Sequence, residues 1–110
     1  VNFCLDNNRV IVNFNNRVKD DFFIFFDNIY KEIIDKNIII DFGDKNIFSS
    51  SFLDKLSNIS ISHQNLNLSF VIVSSLLNSE SIPESLVCSP TLNEAKDLIE
   101  MDEMQRDLGL

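Results

Sequence analysis

Ser49, Ser50 and Ser51 stand side by side between a hydrophobic run, Ile38-Ile39-Ile40-Asp41-Phe42, and a stretch with helical spacing that opens Phe52-Leu53-Asp54-Lys55-Leu56. Three chemistries are open to a serine at such a junction. It can cap the helix by accepting a free backbone N–H. It can act as a nucleophile if a base activates it. It can accept a phosphate, whose charge of about −1.5 to −2 is favoured by the free N–H groups and dipole of a helix N-terminus. The nucleophilic route finds no support. His63 is the only histidine, it sits near the end of the expected second helix, and no G-x-S-x-G, H-E-x-x-H, Walker A or G-x-G-x-x-G pattern occurs. Capping and phosphate acceptance, the latter at Ser50, stay open, and the chain is not expected to be an enzyme.

The other chemistry-bearing residues are sparse. A lone histidine without a cysteine or carboxylate cluster makes no zinc site, so His63 is expected to be exposed or to face the helix C-terminal dipole. Cys4 and Cys88 are the only cysteines, too far apart for a metal spacing and set in apolar runs. They read as small buried hydrophobes in a reducing compartment. Asp41-Phe42-Gly43 spells a kinase magnesium motif, but a kinase needs a much longer chain and several companion motifs. No cofactor is expected.

The chain of 110 residues is long enough for one domain with a real core, and it is 45% hydrophobic and 24% charged. Its formal charge of −8 repels phosphate backbones and anionic lipid, which argues against nucleic acid or a membrane surface as partner. Phe22-Phe23-Ile24-Phe25-Phe26 is the most apolar stretch, yet it is far short of the roughly 20 residues of a membrane span. No basic start precedes a long apolar run. A cytoplasmic protein without membrane insertion is expected.

The elements that must position the serines follow from periodicity. Asn2 to Leu5 and Arg9 to Asn15 read as strands of a hairpin closed by Asp6-Asn7-Asn8, with Val10, Val12 and Phe14 on one face and Ile11 on the other. Asp20 and Asp21 open a first helix. Phe22, Phe26, Ile29, Tyr30 and Ile33 form its stripe, broadened by Phe23, Phe25 and Ile34, and it ends near Lys36-Asn37. The Ile38 run, apolar without alternation, predicts a central parallel strand buried on both faces. A second helix is expected from Ser51 to about Gln64, with Ser51 and Asp54 spaced as a capping-box variant, an inner face of Phe52, Leu53, Leu56, Ile59 and Ser60, and a serine-rich end prone to fraying. Leu66 to Ser74 is a fourth strand, Ser75 to Ser85 a loop, and Leu86-Val87-Cys88 a short last strand. Thr91 and Glu94 form a capping box for a final acidic helix over about 91–108, whose apolar side is Leu92, Ala95, Leu98, Ile99, Met101 and Leu108, with Gly109 as terminator. Its last turns are a candidate contact for a partner. The order implies one α/β domain over 1–110: a mixed, mainly parallel five-stranded sheet with an N-terminal hairpin edge and about three main helices.

This order, together with Asp41 to Leu53, DFGDKNIFSSSFL, resembles the STAS domains of bacterial anti-sigma factor antagonists, which carry D-[L/F]-S-G-x-x-F-[I/M]-D-S-S-G-L after a hydrophobic strand. The two align without a gap. Asp41 matches the strand-end aspartate, Ile47 and Phe48 the apolar pair, Ser50 the serine that the family's kinases phosphorylate, and Ser51 the serine after it. The ending PTLNEAKDLIE also resembles the common family ending, a proline or threonine leading into an E-A helix, and the tail EMDEMQRDLG resembles that of small bacterial STAS proteins. The family's aspartate before the serine is Ser49 here, its glycine after the pair is Phe52, and its early G-x-L-D element is Asn16-Arg17-Val18-Lys19.

The resemblance implies a STAS-like fold and a non-enzymatic regulatory protein-interaction module, switched by phosphorylation at Ser50. Ser49, Ser51, Phe52, Asp41 and Asp44 would line the docking surface, and the partner would be an anti-sigma-type kinase. The alternative it implies is a constitutive structural subunit of a larger complex, such as a transporter-associated STAS protein, with no phospho-switch.

Overall fold

In the computed structural model the described residues are 2–6, 9–14, 22–43, 49–75 and 82–109. Strands β1 (Asn2–Asp6) and β2 (Arg9–Asn13) lead into α1 (Phe22–Ile33). Next come β3 (Asn37–Gly43), α2 (Ser50–Gln64), β4 (Phe70–Ser74), β5 (Val87–Ser89) and α3 (Leu92–Asp107). The sheet runs β1-β2-β3-β4-β5. β2 to β5 form a four-stranded parallel sheet, and β1 pairs antiparallel with β2.

Register sorts the side chains into two faces. Val10, Ile38 and Phe70 lie in one row and Val12, Ile40 and Ile72 in the next. These residues share a core with Phe14, Phe42, Phe22, Phe26 and Ile33 of α1 and Phe52, Leu53 and Leu56 of α2. Residues one step out of phase, Ile11, Ile39 and Val71, face the other way, where Ala95 and Ile99 of α3 cover them. Right-handed crossovers account for the first layer: β2-α1-β3 and β3-α2-β4 step through the sheet in one direction, so both helices land on one face. Helix α3 follows the last strand and is free to close the other. β3 sits in the middle, and Ile38, Ile39, Ile40 and Phe42 have no exposed surface, as an unbroken apolar strand requires.

Several boundaries differ from the sequence expectation. Asp20 and Asp21, the expected opening of α1, lie outside the described residues, as do Asn16-Arg17-Val18-Lys19. α1 ends at Ile33, so Ile34 falls in the turn and is exposed rather than widening the apolar face. β4 begins at Phe70 and not Leu66. α2 continues to Gln64, and its last turn is closed by Leu66 N–H donating to the His63 carbonyl at 3.0 Å and Asn67 N–H to the Gln64 carbonyl at 2.9 Å. Asn67 takes φ 63° there, a left-handed conformation asparagine tolerates better than most residues.

The serine-rich half of α2 stays helical and turns polar groups inward. Ser57 bonds the Ser85 hydroxyl, Ser60 donates to the Ser85 carbonyl at 3.2 Å, and Gln64 donates to both the Ser60 hydroxyl and the Ser85 carbonyl. This network satisfies the buried hydroxyls and fastens the approach to β5 onto α2. Residues 76–81 of the expected loop lie outside the described residues. Thr91 caps α3, accepting from Glu94 N–H at 3.2 Å, and Gly109 follows with φ 75°. Met101 and Leu108, expected on the apolar side, are exposed. Met101 is two residues from buried Ile99, and two residues are about 200° around a helix.

Candidate docking site at the start of α2

The strand end and the helix start are joined through aromatic rings. Near the end of β3, the carboxylate of half-buried Asp41 accepts from Gly43 N–H at 2.9 Å. Gly43 takes φ 62°, a backbone conformation suited to glycine, at a register slip against β4. Its carbonyl accepts from Ser75 N–H at 3.1 Å. The chain re-enters the described residues at Ser49. Asp44, proposed for the docking edge, lies outside them together with Ile47 and Phe48. Phe42 and Phe52 then meet at 5.9 Å between ring centroids, which brings the end of β3 and the first turn of α2 into one cluster.

Ser49, and not Ser51, is the N-cap of α2. Its backbone is extended at φ −80°, ψ 166°, and its hydroxyl accepts from Phe52 N–H at 3.2 Å. The capping box expected from Ser51 and Asp54 therefore does not start the helix. Ser51 already lies in the first turn, with its hydroxyl 3.2 Å from that of Ser49. The three serines divide the work: Ser49 caps, Ser51 bonds Ser49, and Ser50, the first helical residue, is exposed and makes no side-chain hydrogen bond among the described residues.

Phe52 points inward. It is 5% exposed and stands 5.7 Å from Phe22, 5.0 Å from Phe23 and 5.9 Å from Phe42 between centroids. Lys55 reaches back over the Phe23 ring at 5.3 Å. The corner therefore sets the exposed Ser49 to Ser51 turn beside a cluster of aromatic rings, while the Asp41 carboxylate is bonded within the end of β3 to Gly43 N–H.

His63 corrects the expectation of an exposed histidine. It has no exposed surface. One ring nitrogen lies 2.8 Å from the Tyr30 hydroxyl and the other 2.7 Å from the Lys36 carbonyl. A carbonyl only accepts, so Nε2 carries the proton and Nδ1 accepts from the phenol. Burial lowers the His63 pKa, opposed in part by the bond to the Lys36 carbonyl, and burial raises that of Tyr30. The residue ties α1, α2 and the entry to β3 together. Its place was readable from spacing, since Leu56, Ser60 and His63 share one helical face.

A second polar cluster escaped sequence reasoning. At the starts of β3 and β4, Asn37 accepts from Ser69 N–H at 2.8 Å and donates to Glu103 at 3.1 Å. Ser69 donates to Asp102 at 2.9 Å, and Arg106 reaches both Ser69 and Asn37 at 3.4 Å. Arg9 pairs with Glu100 at 3.6 Å. The end of α3 is thereby held down on the sheet instead of projecting from it. Burial pushes the half-buried Cys88 thiol up to about 11, so it is protonated and unreactive at neutral pH. The Cys4 side chain lies outside the described residues. Among the described residues, no group of three or more His, Cys, Asp or Glu side chains is placed to hold a metal ion, and no helix is long and apolar enough to cross a membrane.

These features define an α/β protein with a parallel sheet and helices on both faces. No protein-family model matches the chain, and no curated protein matches it significantly.

Proposed function

We propose that this chain is a non-enzymatic, STAS-like regulatory module that docks a protein partner at the N-terminus of α2, with Ser50 as its phosphate-accepting switch. The observation that carries the reading is the division of labour among the three serines. Ser49 and Ser51 are engaged with each other and with the helix cap, whereas Ser50 is exposed in the first turn and has no side-chain hydrogen bond among the described residues. A phosphate there sits beside the positive end of the α2 dipole. It disturbs no buried contact and adds about −1.5 to −2 charge to the surface a partner would touch. A strand order with β1 antiparallel at the edge and four parallel strands after it supports the STAS-like fold, as does the ungapped resemblance of Asp41 to Leu53.

The experiment is intact-mass analysis of the chain isolated from its native cells, before and after phosphatase treatment, beside a Ser50→Ala variant expressed in the same cells. One phosphate present in the wild type and absent from the variant supports the switch. An unmodified wild type that nonetheless holds the same partner as the variant favours the constitutive-subunit reading.

A further inference from the structure

Helix α3 presents two faces of different make-up. The inner one carries Ala95 and Ile99, fully buried against Ile39, Val71 and Val73, and it is tied down by the bonds of Glu103, Asp102 and Arg106. The outer one carries Met101, Met104 and Leu108, which are 57%, 63% and 72% exposed. Spaced i, i+3 and i+7, they fall within about 60° of one another on the side turned away from the sheet. Asp97 lies in the same stripe, and the exposed carboxylates of Glu94 and Asp107 flank it, together with Glu100, which also pairs with Arg9. The two cations of the helix do not fall in that stripe: Lys96 and Arg106 are half-buried, and Arg106 is engaged by Ser69 and Asn37.

We propose that the outer face of α3 is a docking surface for a basic amphipathic helix of a partner protein. Flexible, polarizable methionines suit the apolar face of an incoming helix. Beside the neutral Asn93 and Gln105, every charged group of the rim is a carboxylate, which selects Lys or Arg flanking that face. The same charges argue against the other occupants. A second copy of this chain would set Glu94, Asp97, Glu100 and Asp107 against their own counterparts, within a protein already at −8. Anionic lipid and nucleic acid are repelled for the same reason. The surface is on the opposite side of the sheet from α1 and α2, so it does not depend on the Ser50 reading, and both sites can be occupied at once.

The test uses the full chain and two synthetic peptides of about five helical turns with the same leucine stripe, one with lysine and one with glutamate on the polar face. Met101 and Met104 are the only two methionines, so both methionine methyl resonances report on this face. The Leu/Lys peptide is expected to shift both and to bind more weakly as salt rises. Changing Met101, Met104 and Leu108 together to Ser is expected to weaken calorimetric binding at least about tenfold with no change in melting temperature. Four results would overturn the proposal: unchanged binding to the triple variant, methyl resonances that stay still, equal binding of the Leu/Glu peptide, or a dimer by light scattering that the triple variant dissolves. The last would assign the face to a second copy.

Discussion

The Ser49 hydroxyl accepts the backbone N–H of Phe52 at 3.2 Å, while the Phe52 ring packs 5.9 Å from that of Phe42. One residue thus anchors the first turn of α2 twice, by its amide to the cap and by its ring to the end of β3. Ser50, exposed, is carried between these anchors in the first turn of the helix.

Removing the cap should cost stability. Ser49→Ala is expected to lower unfolding free energy by about 1 kcal/mol, a drop of roughly 4–8 °C in melting temperature for a domain of this size. Ser50→Asp, an acid in the first turn, should leave stability unchanged or raise it by up to about 1 kcal/mol. Paired thermal melts check both, and they establish that any loss of binding by the aspartate variant is not a folding effect.

Phe52→Ala should be the costliest change in this region. The ring touches Phe22, Phe23 and Phe42, and an aromatic-to-alanine change in a core costs about 3–5 kcal/mol. Urea denaturation measures it. A loss under about 1 kcal/mol would mean the ring is not seated in the core.

His63 makes stability depend on pH in a defined window. Its pKa is lowered by burial below the ordinary 6.5, so the native chain refuses a proton that the unfolded chain accepts. Stability is therefore full above pH 6.5. It falls as pH drops below that value, by no more than about 1.4 kcal/mol per pH unit from this group, until the folded-state pKa is passed. Urea melts between pH 7 and 5 should show the slope, and His63→Gln should flatten it.

The two faces of α3 should answer differently to truncation. Ile99→Ala removes a fully buried side chain and should cost about 2–5 kcal/mol. Met101→Ala, exposed, should fall within about 0.5 kcal/mol of wild type. Chemical denaturation of the pair measures which side of the helix meets the sheet.

Much of this layout is legible in the sequence. The unbroken Ile38-Ile39-Ile40 run specifies a strand buried on both faces, and the alternation of Val10, Ile11 and Val12 assigns their faces, because strand periodicity is local. Thr91 with Glu94 marks the start of α3 for the same reason. The misread features are those that depend on distant partners. Ser57 looks like a helix weakener until Ser85 arrives to bond it, and His63, though spaced on one face with Leu56 and Ser60, shows what satisfies its ring only when Tyr30 and the Lys36 carbonyl enclose it. The cap moved from Ser51 to Ser49 because three consecutive serines offer equivalent hydroxyls, and only backbone geometry selects among them. Asn37, Ser69 and Arg106 could not be grouped from sequence, as their meeting is set by strand register and the docking angle of α3.

The most direct test of the Ser50 switch is quantitative affinity capture from native-cell lysate with full-length wild-type, Ser50→Ala and Ser50→Asp chains as baits. The account predicts a protein retained by the wild type and by Ser50→Ala and reduced at least about tenfold on Ser50→Asp, since one added charge at a docking edge costs on the order of 1.4 kcal/mol or more. The same partners recovered in the same amounts on all three baits would contradict it.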